Sequence, residues 1–225
     1  MAIQVDTKDC TALSDSELSD MADISGVDAS TDGTAGFDVG FLSKARDEWV
    51  LVTQAREGGK LAGFSFCTLE RIGGTPCVLI GLASVKPVPR REAVLTALIS
   101  EQLRRAVLAF PDEDVLVAAR LADSSGYTVF SRLEDVVPRP DHKPTGEERA
   151  WARRLAKRFG AEGRVNDRTF TVEGNGEHPG ILDYVNGTPD ADVQVFFEGI
   201  DRVRGDSLIV FGWAMAEDLA PLATR

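Results

Sequence analysis

The junction Val85-Lys86-Pro87-Val88-Pro89-Arg90-Arg91-Glu92-Ala93-Val94-Leu95 constrains this chain most, because it passes from a strand apolar on both faces straight into an amphipathic helix. The run from Cys77 to Val85 is continuously apolar, as in a strand at the centre of a sheet. Leu95, Ile99, Leu103, Ala106 and Phe110 then recur at steps of three and four, opposite Glu101, Arg104 and Arg105, until Pro111 ends the helix. A turn this short leaves the first helical N–H groups without partners and sets the positive end of the helix dipole beside two guanidinium groups. That combination suits a phosphate or pyrophosphate. The same residues also read as a helix start that merely happens to be flanked by arginines.

The neighbouring segments predict a layered order of elements. Ser14-Asp15-Ser16-Glu17 is a capping box ahead of Leu18, Met21 and Ile24, which gives a first helix. A glycine- and aspartate-rich stretch from Gly26 to Gly36 precedes a second short helix carrying Phe37, Phe41, Leu42 and Ala45. Trp49 to Thr53, Leu61 to Ile72 and Cys77 to Val85, separated by the turns Glu57-Gly58-Gly59-Lys60 and Gly73-Gly74-Thr75, form an antiparallel meander. Val115 to Ala119 is a buried strand, parallel to Cys77–Val85 if the intervening helix packs back as a right-handed crossover.

Within this order Val85, Pro87 and Arg90 fall on the spacing V-x-P-x-x-R/Q-x-x-G-x-G/A, with Ala93 and Leu95 at the two glycine positions. Asp123-Ser124-Ser125-Gly126-Tyr127-Thr128-Val129-Phe130-Ser131-Arg132 is similar to N-x-x-A-x-x-L-Y-x-K, with phenylalanine at the tyrosine position. From about Ser14 to Arg132 the chain therefore resembles the GNAT superfamily of N-acetyltransferases, as a divergent member with a C-terminal extension. The resemblance implies an α/β (α+β) fold, with a mixed, mostly antiparallel twisted sheet flanked by helices. Two parallel strands would splay to admit the pantetheine arm of acetyl-coenzyme A or another acyl-coenzyme A. It further implies cofactor contacts at Ser84, Val85, Arg90, Arg91, Glu92, Ala93, Val94, Leu95 and Asp123, with the thioester carbonyl at a bulge near Ser84 and Val85. An acceptor amine would attack directly.

The resemblance implies a tyrosine hydroxyl at the Phe130 position as acid toward the departing thiolate. Phenylalanine has no proton to give, so Tyr127, three residues earlier, is the candidate acid, with Ser124 or Ser125 as alternatives, and Glu70 is the candidate base by position. Each has a plainer reading as well, Tyr127 as a packing residue and Glu70 as a surface carboxylate. The expected function is acyl-coenzyme A dependent N-acyl transfer. Ala93 and Phe130 also suit a catalytically inactive module that binds an acyl-coenzyme A or a protein.

The 225 residues suffice for one substantial core with an addition, here read as a core over 1–137 and a C-terminal part over 138–225 that completes the sheet and adds helices. The two parts can equally form one continuous domain. A net charge of −11 argues against nucleic acid, whose binding draws on lysine and arginine contacts. The acid concentrates in the first forty residues and would favour a cationic acceptor such as an amine if it flanked the cleft, or else forms a solvated face. Cys10, Cys67 and Cys77 have no C-x-x-C spacing, and His142 and His178 stand apart from any ligand pattern, so no metal is expected. No apolar run is long enough for a membrane span and no secretory pattern opens the chain, which makes the cytoplasm the expected location.

Thr145-Gly146-Glu147-Glu148 is a second capping box, opening a helix whose Arg149, Arg153, Arg154, Lys157 and Arg158 form a basic face. That face suits the 3′-phosphate of coenzyme A or a pairing with the acidic N-terminal part. Arg168 to Glu173 reads as the last strand of the core sheet. Thr188-Pro189 opens a helix over Val193, Phe196, Phe197, Ile200 and Val203. The terminal run Leu208 to Met215 must bury against its own core or against a second subunit, which makes a homodimer an expectation.

Overall fold

The computed structural model describes residues 2–25, 36–176, 181–185 and 190–223. Most of the predicted glycine-rich loop, together with His178, Thr188 and Pro189, lies outside the described residues. Ser14 N donates to Glu17 Oε2 at 2.9 Å and Glu17 N to Ser14 Oγ at 3.3 Å, the reciprocal pair that opens α1 (Asp15–Ser25). Asp38 caps α2 (Val39–Glu48) by accepting from Phe41 N at 2.7 Å.

The sheet begins with a strand the sequence reading leaves out, β1 (Ile3–Asp9), whose half-buried Ile3 and Val5 alternate with exposed Gln4 and Asp6. It pairs antiparallel with β2 (Leu51–Glu57), and β3 (Lys60–Ile72) and β4 (Thr75–Val85) complete the expected meander. The period of β3 assigns its two faces. Phe64 and Phe66 join Leu18, Met21 and Leu42 under α1 and α2. Gly63 and Ser65 turn instead to α3 (Arg91–Ala109), and a Cβ on Gly63 would lie 2.9 Å from Val94 Cγ1, so glycine allows the helix its close approach. Gln102 on α3 donates to Ser65 Oγ at 2.8 Å on this face.

After α3 the chain returns as β5 (Val115–Leu121), parallel to β4 with Cys77 to Ile80 opposite Leu116 to Ala119. The mixed, mostly antiparallel sheet flanked by helices is the predicted fold class. Its far half differs from expectation. The strand beside β5 is β10 (Ser207–Ala214), while Arg168 to Glu173 contributes only β8 (Thr171–Val172), between β10 and β7 (Val165–Asn166). β6 (Glu134–Val137) also pairs with β10. The apolar terminal run is thus buried within its own chain's sheet, and α6 (Ala216–Ala223) packs on α3.

The basic helix α4 (Gly146–Arg158) has its predicted box at Thr145 and Glu148. Its arginines find other partners than the N-terminal acids. Arg149 and Arg153 bind Asp167, Arg158 binds Glu70, and Arg154 lies over Trp151. The predicted helix to Val203 is only α5 (Ala191–Gln194) and one 3-10 turn, Val195–Phe197. Asp206 accepts from the main-chain N–H groups of Gly174 and Asp201, and Asp206 N donates to Asp201 O, so residues after Phe197 fold into a turn around this carboxylate.

Candidate active site

The β4–α3 junction is exposed, but its main-chain groups are partly occupied. Val88 N donates to Lys86 O at 2.8 Å and Arg91 N to Val88 O at 2.9 Å. Arg90 forms an ion pair with Glu57 at 2.9 Å, and the Arg91 guanidinium stacks on the Tyr184 ring. Glu92 and Ala93 are exposed in the first turn, while Val94 and Leu95 are core.

β4 and β5 pair as far as Ile80 and Ala119 and then part. At that point β4 carries its irregularity: Ser65 faces Ala83 and Cys67 faces Ile80, so Gly81 and Leu82 together oppose Phe66. The bulge therefore lies at Gly81–Leu82, three residues before the expected position. Ser84 and Val85 sit instead in regular pairing with Phe64 and Gly63. Gly81 is held under Trp49, whose ring atoms would come within 2.5 Å of a Cβ there.

The gap between the parted strands is not open. Leu182 and Asp183 form a two-residue strand, β9 (Leu182–Asp183), parallel to both neighbours, with Leu182 opposite Ala83 and Leu121 and Asp183 opposite Ser84. Ala83 N donates to Ile181 O at 3.1 Å. Leu182 seats over Gly126, where a Cβ would stand 3.2 Å from its Cδ2. Asp123 caps the 3-10 helix Ser124–Phe130 through Ser125 N at 2.8 Å, and its carboxylate lies 3.8 Å from Arg202, which also meets Asp183 at 3.3 Å. In this conformation the gap between the parted strands is filled by the chain itself.

Tyr127 donates its hydroxyl to Pro138 O at 2.6 Å, and burial pushes its pKa up to about 12. Phe130, fully buried, packs beside it with centroids 6.3 Å apart. Glu70 is bound by Arg158 through two hydrogen bonds, of 2.7 and 2.5 Å. Tyr127 and Glu70 therefore lie in different surroundings, and only Glu70 borders the large cleft.

That cleft, about 810 Å³, opens on the α1–α2 face of the sheet where the bulge lies, between α2 and the C-terminal end of α4. Arg120 of β5 reaches into it from the sheet. Only 5% exposed, Arg120 donates through Nε to Ser207 Oγ at 2.9 Å, and burial followed by repulsion from Arg164 lowers its pKa to about 10. Sequence reasoning missed Arg120, β9 and Tyr184. A charged residue closing the apolar run Val115-Leu116-Val117-Ala118-Ala119-Arg120-Leu121 was the available signal for Arg120; β9 is too short to have a period.

Among the described residues no group of three or more His, Cys, Asp or Glu is placed to hold a metal, and no helix is long and apolar enough to cross a membrane.

The chain is similar to N-acetyltransferases of solved structure. Ribosomal-protein-alanine N-acetyltransferase from Brucella melitensis biovar Abortus 2308 matches with 16% identity over 59% of this chain and 90% of its own, at a TM-score of 0.45. A GNAT family acetyltransferase from Brucella melitensis, in complex with acetyl-CoA, matches with 17% identity over 57% and 82%, at 0.41. Escherichia coli ElaA matches with 18% identity over 64% and 95%, at 0.39. No protein-family model matches the sequence, and no curated protein matches it.

Proposed function

We propose that this protein transfers an acyl group from an acyl-coenzyme A, acetyl-coenzyme A first among them, to a small amine. The observation that carries the reading is the parting of parallel β4 and β5 at a β4 bulge on the border of the cleft, in the strand that leads through one short turn into α3. In this reading Arg90, Arg91 and the exposed first turn of α3 receive the donor's diphosphate, near Asp123 and the end of β4, and the cleft receives the amine. Glu70 is its candidate base and Tyr127 its candidate acid, both released from their present partners. Donor entry requires residues 181–185 to leave the gap.

The filled gap supports a second reading, a module that keeps the fold and holds no donor. Calorimetry and thermal denaturation with acetyl-coenzyme A, on the natural chain and on Leu182→Asp, separate the two. A charge at Leu182, 1% exposed, loosens β9, so the transferase reading expects tighter acetyl-coenzyme A binding by the variant and thiol release with an amine panel. Absence of both binding and thiol release in either protein would leave the module.

A further inference from the structure

We propose that the cleft between α2 and α4 binds a small amino acid or short peptide by its carboxylate, held end-on by Arg120 with Arg164 beside it. Arg120 is a guanidinium taken out of water, and among the described residues no carboxylate forms an ion pair with it. It donates to the neutral Ser207 hydroxyl, and the charge that acts on it from nearby is the like charge of Arg164. A buried cation without a counter-ion is unfavourable unless a ligand supplies one. With Nε committed to Ser207, the terminal nitrogens remain for a planar acceptor with two oxygens, the geometry in which arginine binds carboxylates.

The surroundings extend the argument. Arg164 donates to the main-chain carbonyls of Glu173 and Gly160, at 2.9 and 3.1 Å, and among the described residues no acidic side chain pairs with it. Among the described residues the cleft is lined by Lys44, Arg120, Arg158 and Arg164 against Glu48 and Glu70, an excess of cations in a chain of net charge −11. α4 borders it with its C-terminal end, where the dipole is negative, and α2 with a face running from Phe41 to Glu48 at its own C-terminus. A multiply charged phosphate is poorly served by helix C-termini, whereas an ammonium group is favoured there and beside Glu48 and Glu70. One ligand with a carboxylate and an amine satisfies both poles. As the acceptor of the proposed acyl transfer this ligand rests on that reading; as a bound molecule it does not.

The test is thermal denaturation and calorimetry without any acyl-coenzyme A. The probes are glycine, L-glutamate, L-phenylalanine and alanyl-alanine, each against its C-terminal amide, with inorganic phosphate alongside. At least one free acid is expected to raise the melting temperature, and its amide to bind at least tenfold more weakly. Arg120→Met is expected to fold, to lose the carboxylate preference and to melt no lower than the natural chain, since it removes a buried unpaired charge. Should that variant not fold, Arg120→Lys, which keeps the charge and loses the fork, is expected to weaken the free acid at least tenfold. Equal binding of acid and amide, no binding of any probe, preference for phosphate, or undiminished binding by the folded Arg120 variant would each overturn the proposal. Carboxylate binding without any acetyl-coenzyme A binding would leave this site standing and remove the transferase reading.

Discussion

The guanidinium of Arg91 lies 4.8 Å from the centroid of the Tyr184 ring, joining the first turn of α3 to the segment that fills the β4–β5 gap. A cation over an aromatic face is worth about 0.5–2 kcal/mol, more where water is excluded, and Tyr184 is 1% exposed. The contact therefore ties the state of the turn to the state of the gap: an anion that drew Arg91 away would weaken the hold on β9.

The Tyr184 hydroxyl is buried and has no hydrogen-bond partner among the described residues. Tyr184→Phe keeps the ring over Arg91 and removes the unsatisfied group, so urea denaturation should show stability unchanged or raised by up to about 1 kcal/mol. A loss larger than that would mean the hydroxyl is bonded in the folded protein.

Gly81 lies so close to Trp49 that a methyl group would stand 2.5 Å from the indole. Gly81→Ala should cost about 1–3 kcal/mol through overpacking. Trp49→Leu on its own should also destabilise, and the double variant should be more stable than the sum of the two losses, a coupling that a double-mutant cycle reads directly.

Glu17 is partly desolvated, which by itself would raise its pKa, but hydrogen bonds from Lys8, Ser14 and Gln54 outweigh this and hold it at about 2, below the ordinary 4.5. A carboxyl whose pKa is depressed by folding stabilises the folded state above its unfolded value, and this contribution disappears as pH falls through the folded one. The gain, on the order of 1–2 kcal/mol after screening, should be fully present above pH 4.5 and lost toward pH 2. Glu17→Gln should flatten this part of the stability–pH curve.

Burial pushes the thiols of Cys10 and Cys67 up to about 12 and that of Cys77 to about 11. At neutral pH essentially no thiolate is present to react. Ellman's reagent should label none of the three cysteines in the folded chain and all of them in denaturant. Fast labelling of the folded chain would show that the core around them opens.

What was legible in the sequence is what short-range chemistry decides. The boxes at Ser14–Glu17 and Thr145–Glu148 start their helices because each is complete within four residues, and the period of Phe64 and Phe66 assigns the faces of β3. Leu182 and Asp183 carry no such period; they are a strand only because Ala83, Ser84 and Leu121 stand on either side. The position of β10 beside β5 depends on a pairing across some ninety residues, Leu208 opposite Leu121, which no local pattern encodes. The bulge was expected in the right strand and placed too late, because Gly81 reads as one small residue in an apolar run until Trp49 is seen against it.

β10 pairs with β5, β6 and β8, so the far half of this sheet is closed by a segment that comes long after β5 in the chain. A polypeptide halted before Ser207 would leave the long flank of β5 with bare amides and carbonyls, an invitation to foreign strands. Quality control in the cell would meet such fragments as sticky intermediates, and this part of the sheet can close only once the segment from Ser207 to Ala214 has left the ribosome.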